Sequence, residues 1–395
     1  MINTSASVSY STIQIDKREI MQSLLDIDDK KRSNLFAWNG QFSPQFIEAI
    51  LDRYATENTI VADPFLGSGT VLYECARRKI SAMGCELNPS AYYMAKTYEL
   101  CGLDIEERAV LIKTIDTKLA YISTTYNQLN YLLKTIEDEP LQYVKDTLSL
   151  IVVLMDLFSN QFSSKLLFDK WDKLRSIITS LPYSNKEICA FLGNAKKMTI
   201  DNNEVDLIIT SPPYINVFNY HQKYRRSVEA LGFDVLRIAR GEVGSNRKNR
   251  GNRFLTVIEY CVDMALAIKE MIRITTPSAR IILVVGRESN VLSTAFSNSE
   301  FIYRIASDIH GLPLILKQQR VFKNKFGQMI YEDILHFSTN TIRRMYEYNE
   351  LIDASRQIAI NALQDKLNKI DVANKNYPLL VSAIDNAKSI NPSEG

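Results

Sequence analysis

Short runs of branched apolar residues alternate with helix-like stretches in the first part of the chain. Strand-like runs cover residues 59–63, 80–86, 188–194 and 206–210, and each run ends in a polar side chain. The helix that Pro44 begins leads to the first run, and apolar positions three and four residues apart separate the first runs, as at Val71, Leu72, Cys75 and Ala76. Because strands that alternate with helices are joined by right-handed crossovers, this order predicts a parallel α/β sheet.

The alternation is lost between residues 104 and 186. This stretch shows long helical periods, almost no glycine, and only Pro140 and Pro182 as helix breakers. It predicts an insert of three or four helices.

Beyond the run at residues 206–210, the pattern returns to mixed elements. It predicts a helix over residues 257–274, a strand over 280–286, and an antiparallel hairpin with strands at 314–322 and 330–337. The tail from residue 339 onwards predicts helices followed by a polar, disordered end.

The run at residues 206–210 stops abruptly at Ser211, Pro212, Pro213 and Tyr214. Each proline fixes its own φ at about −65° and keeps the preceding residue out of the helical region, so Ser211 is held extended. Since neither proline has an N–H, the loop presents mostly acceptors beside one aromatic ring. Two acceptors can pull the hydrogens of an exocyclic amine out of the ring plane, which localises the nitrogen lone pair and makes the amine a better nucleophile. The alternative is an ordinary strand-ending turn.

A second polar strand end lies at residues 63–70, which read Asp-Pro-Phe-Leu-Gly-Ser-Gly-Thr. Glycines between a strand and a helix let a ligand approach the backbone, and a helix N-terminus favours a carboxylate or phosphate. Glu86 ends the next strand, where an acid can hold a ribose diol. The spacing is similar to that of a dinucleotide-binding fold, although the complete G-x-G-x-x-G is missing.

These two strand ends together resemble those of the DNA amino-methyltransferases, which transfer methyl groups from S-adenosyl-L-methionine. The resemblance is carried by residues 63–70, by Glu86 and by residues 210–214, and its motifs are spread over residues 34–337. Residues 39–44 resemble the family segment that closes over the methionine end of the cofactor.

The resemblance implies S-adenosyl-L-methionine as the cofactor and a set of residues around it. Asn194 stands where an acid or amide, more usually Asp, contacts the cofactor's adenine in the family. The implied cofactor-binding residues are Phe42, Asp63, Pro64, Phe65, Gly67, Gly69, Thr70, Glu86 and Asn194. The implied catalytic residues are Ser211, Pro212, Pro213 and Tyr214.

The implied fold is an α/β, doubly wound, mostly parallel seven-stranded sheet with a helical insert and an edge β-hairpin. The expected parts are an N-terminal arm (1–33), a cofactor-binding part (34–103), the helical insert (104–186), a catalytic part (187–338) and a helical tail (339–395). The insert has two interpretations: a lobe that helps to clamp or read DNA, and a scaffold or partner surface.

Aromatic and basic residues interleave after Tyr214, and residues 237–253 carry six basic side chains against the single acid Glu242. Aromatic rings stack on bases and arginines hold phosphates, so this region is expected to contact DNA, with a solvated loop as the alternative. Because the whole chain carries a net charge of only +2, the attraction must come from this local patch. The candidate nucleic-acid-binding residues are Tyr220, Arg225, Arg226, Arg240, Arg247, Lys248, Arg250 and Arg253.

Composition is that of an ordinary globular protein, with 46% hydrophobic and 23% charged residues in 395. The chain has no long apolar run and no signal-like N-terminus, so we expect no membrane partner and a cytoplasmic location. Its five cysteines show no C-x-x-C spacing, and with three histidines a metal site is not expected.

The expected reaction is methyl transfer to the N4 amine of a flipped-out cytosine in double-stranded DNA, as part of restriction-modification with a cognate endonuclease as partner. A serine before Pro-Pro-Tyr resembles enzymes that act on cytosine more often than those that act on adenine. The alternatives are adenine N6 or RNA as the target and, in another class, a methyltransferase-like protein that binds nucleic acid without catalysis.

Overall fold

The computed structural model describes residues 9–215, 220–245, 249–323, 327–340 and 346–394. Its helices are α1 Gln22–Asp26, α2 Pro44–Tyr54, α3 Thr70–Arg78, α4 Pro89–Lys96, α5 Ile105–Ser123, α6 Gln128–Glu137, α7 Gln142–Met155, α8 Ser164–Ser180, α9 Arg225–Ala230, α10 Val235–Gly241, α11 Leu255–Ile274, α12 Asn298–Arg304, α13 Tyr348–Leu367 and α14 Tyr377–Asp385. Its strands are β1 Ile60–Asp63, β2 Ser81–Glu86, β3 Ile188–Leu192, β4 Val205–Thr210, β5 Thr275–Gly286, β6 Glu288–Val291, β7 Thr294–Ser297, β8 Leu314–Lys323 and β9 Met329–Ser338.

Seven of these strands form one sheet in the order β3-β2-β1-β4-β5-β9-β8. The pairs β1–β2, β2–β3 and β4–β5 are parallel, whereas β5–β9 and β8–β9 are antiparallel. The predicted α/β, mostly parallel seven-stranded sheet with an antiparallel edge hairpin is therefore confirmed. Strand β5 begins at Thr275 rather than at the predicted residue 280, and the tip of the predicted hairpin falls partly outside the described residues.

The chain divides into two compact units, the first of which comprises residues 32–192 and 220–239. Its parallel strands β1, β2 and β3 are in a register that pairs Asp63 with Gly84 and Glu86 with Leu192. The helix after β2 begins at Pro89, and the Asn88 side chain caps it by accepting a 2.9 Å hydrogen bond from the Ser90 N–H.

Helices α5 to α8 fill the stretch between residues 104 and 186 and belong to this first unit. Trp171 of α8 is buried and donates from Nε1 to Asp116 of α5 at 2.6 Å. The buried Arg108 guanidinium donates to the backbone carbonyls of Leu100 and Pro182, which flank the four helices. This arginine therefore ties the beginning and the end of the helical stretch together.

The second unit comprises residues 1–31, 193–219 and 240–395, within their described ranges. Its strands in the large sheet are β4, β5, β9 and β8, and β6 and β7 pair as a separate two-stranded sheet. Its long helix α11 packs against α13. The N-terminal arm lies along the edge strand β8, where Gln22 donates to the Gln319 carbonyl at 2.8 Å and Asp26 accepts from the Val321 N–H at 2.7 Å. The arm thereby covers a sheet edge that is otherwise open to pairing with other chains.

The prediction of a disordered chain end is wrong for the residues up to 394. The Ser393 N–H donates to the buried Asp263 carboxylate at 2.8 Å, and Lys196 Nζ donates to the same Asp263 at 2.9 Å. A buried charge pair in α11 and the 194–197 turn thus holds the tail, a contact that the polar composition of the tail does not reveal. In the described part of the chain, no helix is both long and apolar enough to cross a membrane.

Candidate functional site

The turn after β1 is built around two glycines with left-handed backbone angles. Gly67 has φ +55° and Gly69 has φ +86°, a region that side chains with a Cβ disfavour. A Cβ atom on Gly69 would also lie 2.9 Å from Ala95 Cα and from Tyr98 Cδ2, so helix α3 packs closely on its neighbours. Asp63 is buried at the end of β1 and accepts from the Phe65 N–H at 3.1 Å.

Glu86 connects this glycine turn to the end of β2. One oxygen of its carboxylate accepts from the Gly67 N–H and the other accepts from the Asn88 N–H, both at 2.7 Å. A carboxylate has about four lone-pair sites, so a ribose diol can share it with these backbone donors. The carboxylate is partly exposed, as the predicted role requires.

The segment at residues 34–42 lies against the glycine turn. Thr70 Oγ1 donates to Asn34 Oδ1 at 2.9 Å, and Ser68 Oγ donates to Gln41 Oε1 at 2.6 Å. Phe42, predicted to close over the cofactor, is buried with its ring 5.6 Å from that of Phe46 in α2. The described contact of its ring is therefore with the helix, and its contact with a cofactor stays a prediction.

Trp38 contacts the exposed side of the turn, and sequence reasoning missed it. A Cβ atom on Gly67 would lie 3.4 Å from Trp38 Cδ1. The Trp38 ring stacks on Tyr220 with centroids 6.2 Å apart, and Lys223 Nζ lies 5.1 Å from the Trp38 ring centroid while donating to the Ala37 carbonyl at 2.6 Å. The available signal was that Trp38, one of only two tryptophans, stands directly before the segment resembling the cofactor-closing one.

The accessible surface of this region fits S-adenosyl-L-methionine. Pro64, Gly69 and Thr70 are buried, whereas Phe65, Gly67 and Glu86 are partly exposed. A ligand therefore meets one aromatic ring, one glycine backbone and one carboxylate, which are groups that suit an adenine, a close backbone approach and a ribose diol. In this way the first unit brings together all the predicted cofactor residues except Asn194.

Asn194 lies in the second unit, two residues after the end of β3. Its Oδ1 accepts from the Lys196 N–H at 2.9 Å, and its Nδ2 is buried without a hydrogen-bond partner. The amide therefore offers a donor, whereas the more usual Asp offers only acceptors. This unsatisfied donor fits a polar ligand with an acceptor, such as a ring nitrogen of adenine.

The Ser211–Tyr214 loop directly follows β4 in the second unit. Pro212 is buried, and Ser211, Pro213 and Tyr214 are partly exposed. The Tyr214 hydroxyl donates to Glu332 Oε1 at 2.9 Å. A Cβ atom placed on Gly244 would lie 2.9 Å from the Tyr214 carbonyl oxygen, so Gly244 packs closely on the loop. The loop is thus held on both sides by other parts of the unit.

The predicted nucleic-acid-binding residues make different kinds of contact within the protein. Arg225 pairs with Glu229 at 2.7 Å, Arg226 lies over the Phe158 ring at 5.2 Å, and Arg240 pairs with Glu394 at 3.2 Å. Tyr220 stacks on Trp38, as described above. Their contact with DNA stays a prediction.

The basic loop, residues 237–253, is anchored just before and just after Gly251. Asn249 donates to Glu259 at 3.0 Å and Asn252 donates to the Leu379 carbonyl at 2.7 Å. Arg250 and Arg253 beside these anchors are exposed, whereas Arg247 and Lys248 lie outside the described residues. An anchored loop that carries exposed arginines is a suitable surface for phosphates.

Comparison with known proteins agrees with this chemistry. The DNA methylase family model matches residues 12–97, which contain the glycine turn and Glu86. The Type II methyltransferase M.MjaII of Methanocaldococcus jannaschii is 20% identical over an alignment that covers 70% of this chain and 76% of that protein. These two matches support a DNA methyltransferase of the amino-methyltransferase group, with S-adenosyl-L-methionine as the cofactor.

Solved structures add only distant likenesses. A methyltransferase of Methanosarcina mazei has a TM-score of 0.34 at 11% identity, covering 73% of this chain and 96% of that one. The rRNA methyltransferase aviRa of Streptomyces viridochromogenes has a TM-score of 0.30 at 9% identity, covering 88% of this chain and 98% of that one.

Proposed function

We propose that this chain transfers a methyl group from S-adenosyl-L-methionine to the N4 amine of a cytosine flipped out of double-stranded DNA. The observation that carries the proposal is the Ser211–Tyr214 loop, which follows β4 directly and has its tyrosine held by hydrogen bonding to Glu332. The cofactor supplies a methyl group already activated on a sulfonium. The protein therefore contributes mainly alignment of the amine with that methyl group.

The residues of the loop have two roles, hydrogen bonding to the amine and stacking on the base. Ser211 and the loop carbonyls accept hydrogen bonds from the amine, and Tyr214 stacks on the base. The Ser211 hydroxyl lies beside the Tyr214 hydroxyl, to which it can donate its proton, so its lone pairs can accept from the amine. Flipping the base out costs roughly a few kcal/mol, which stacking and edge contacts offset.

The cysteines support an amine rather than the ring carbon of cytosine as the methyl acceptor. Methylation of the carbon needs a thiolate nucleophile; none of the five cysteines is in a disulfide, and four of them are buried. Burial raises the pKa of Cys101 and of Cys189 to about 12, with the Glu187 hydrogen bond adding to the effect at Cys189. It raises the pKa of Cys75 and Cys261 further above the usual range. Thiols of this kind stay protonated at neutral pH.

Cytosine is favoured over adenine by the residue before Pro-Pro-Tyr. A serine hydroxyl both donates and accepts, whereas the Asp or Asn of the adenine enzymes offers a carboxylate or an amide. Transfer to adenine N6 is the second candidate, because the same loop can hold either amine. A place in restriction-modification with a cognate endonuclease, in the cytoplasm, is part of the proposal.

A methyl-transfer assay with one loop variant tests the proposal. Labelled S-adenosyl-L-methionine and unmethylated double-stranded DNA should give labelled DNA with the parent protein, and Ser211→Ala should nearly abolish the transfer while calorimetry shows unchanged cofactor binding. Cofactor binding without any transfer by the parent protein would favour the non-catalytic interpretation instead. Transfer to RNA but not to DNA would contradict the assigned substrate.

A further inference from the structure

A chain of hydrogen bonds leads from the Tyr214 hydroxyl into the edge hairpin. The hydroxyl donates to Oε1 of Glu332 at 2.9 Å, and Arg320 Nε donates to Oε2 of the same carboxylate at 2.5 Å. Arg320 and Glu332 face each other across β8 and β9, and both side chains are buried. The guanidinium therefore fixes the carboxylate, and the carboxylate offers its other oxygen to Tyr214.

Gly286 makes room for the tyrosine ring at the end of β5. Gly286 is paired with Glu332 across β5 and β9. A Cβ atom on Gly286 would lie 2.6 Å from Cε2 and 2.8 Å from Cζ of Tyr214. The ring occupies the space of that missing side chain, so its position is set by a backbone surface and by one hydrogen bond.

The Tyr214 hydroxyl also lies beside Ser211. Because the Tyr214 O–H donates to Glu332, its oxygen is left to accept from the Ser211 hydroxyl. The Ser211 lone pairs are then left to accept from another group. Burial and the Glu332 charge hold the pKa of Tyr214 well above its usual value, so the phenol keeps the proton that it donates.

We propose that Glu332, fixed by Arg320, is a positioning residue for the Ser211–Tyr214 loop. It sets the orientation of the Tyr214 ring and, through the Tyr214 hydroxyl, the direction of the Ser211 lone pairs. The inference rests on the proposed function, because it assigns the ring and the lone pairs to a target base. If the Arg320–Glu332 pair only stabilised the hairpin, removing the Tyr214 hydroxyl would leave catalysis unchanged. If Glu332 positions the loop, removing that hydroxyl should slow catalysis.

The kinetic test removes the hydroxyl and leaves the buried ion pair in place. Tyr214→Phe should lower kcat for DNA methylation by about 10- to 100-fold, because a small misplacement of reacting groups is enough for such a loss. The KM for S-adenosyl-L-methionine should stay unchanged, since no cofactor residue is altered. Tyr331→Phe, an exposed tyrosine on β9, is the matched control and should keep the parent kcat. A Tyr214→Phe variant with the parent kcat would overturn the proposal.

Two further variants connect this loss to Glu332. Glu332→Gln keeps the shape but changes the acceptor, and its loss in kcat should overlap with that of Tyr214→Phe, so that the double variant is no worse than the poorer single one. Independent losses that multiply would contradict a shared role. Gly286→Ala should displace the ring and lower kcat in the same way, again without changing the cofactor KM.

A spectroscopic experiment tests the positioning role of Glu332 without measuring enzyme activity. The full-length chain carrying 3-fluorotyrosine at position 214 should give one sharp fluorine resonance, which shifts and broadens in Glu332→Gln but not in Glu288→Gln, an exposed acid. An unchanged resonance in Glu332→Gln overturns the positioning role. A parent protein that methylates no DNA but shows the expected spectral change overturns the proposed function and leaves Glu332 as the residue that orients Tyr214.

Discussion

The Gly67 N–H donates a 2.7 Å hydrogen bond to the carboxylate of Glu86. Gly67 belongs to the turn after β1 and Glu86 ends β2, so this one bond holds the glycine turn against the next strand. Glu86 also accepts from the Asn88 N–H, which opens helix α4. The acid proposed to grip the ribose therefore also shapes the turn that the cofactor approaches.

Replacing Glu86 should consequently weaken both cofactor binding and the fold. Hydrogen bonds to a charged group are each worth about 1.5 to 3 kcal/mol, so Glu86→Ala should lower the affinity for S-adenosyl-L-methionine about ten-fold or more. Its Tm should also fall, because two backbone donors lose their acceptor. Calorimetric titration and thermal unfolding measure the two effects, with the exposed Glu57→Ala as the control. Equal affinity in Glu86→Ala and the parent would remove the cofactor assignment.

Gly69 offers a steric test of the same turn. Gly69→Ala combines a strained backbone angle with contacts of 2.9 Å to Ala95 and Tyr98, which together should cost about 2 to 4 kcal/mol of unfolding free energy. Gly102→Ala is the control, since a Cβ atom there meets nothing within 4 Å. Urea unfolding compares the two variants. Similar midpoints would contradict the close packing of α3 described above.

The sheet and the two strand ends were predictable from the sequence because their signals are local. Branched apolar runs that end at Asp63, Glu86 and Ser211 define strands and place polar groups at their ends. The helix start at Pro44 was equally clear, since proline favours the first turn of a helix.

What the sequence could not predict are contacts between distant residues. Glu332 lies 118 positions from Tyr214, and nothing in its strand distinguishes it from a solvent-facing acid. Trp38 meets Tyr220 and Lys223 only in the folded chain, and the buried Lys196–Asp263 pair holds a tail whose composition is polar. Such pairings depend on tertiary packing, which residue pattern alone does not encode.

Trp38 should report cofactor binding through its fluorescence. It contacts Gly67 in the candidate cofactor turn, whereas Trp171, the other tryptophan, is buried in the four-helix stretch and hydrogen-bonded to Asp116. Addition of S-adenosyl-L-methionine should change the emission of the parent protein and of Trp171→Phe, but not that of Trp38→Phe. A response that disappears with Trp171→Phe instead would place the ligand elsewhere.

The exposed arginines of the basic loop should contribute to the salt dependence of DNA binding. Replacing Arg250 and Arg253 together by Ala should lower the slope of log affinity against log salt by up to about 1.8, if each pairs with one phosphate. Lys369 and Lys375, exposed near the tail, provide a double-alanine control of equal charge change. If the arginine and control variants share the parent slope in a salt series, the loop is a solvated surface.

The proposed reaction is methylation of an exocyclic amine of a DNA base, with cytosine N4 as the target. The decisive measurement is mass spectrometry of nucleosides from unmethylated double-stranded DNA incubated with the protein and S-adenosyl-L-methionine. N4-methylcytosine should form with the parent protein and be nearly absent with Ser211→Ala. N6-methyladenine as the sole product would exclude the cytosine assignment, and 5-methylcytosine or no methylated nucleoside would exclude an amino-methyltransferase.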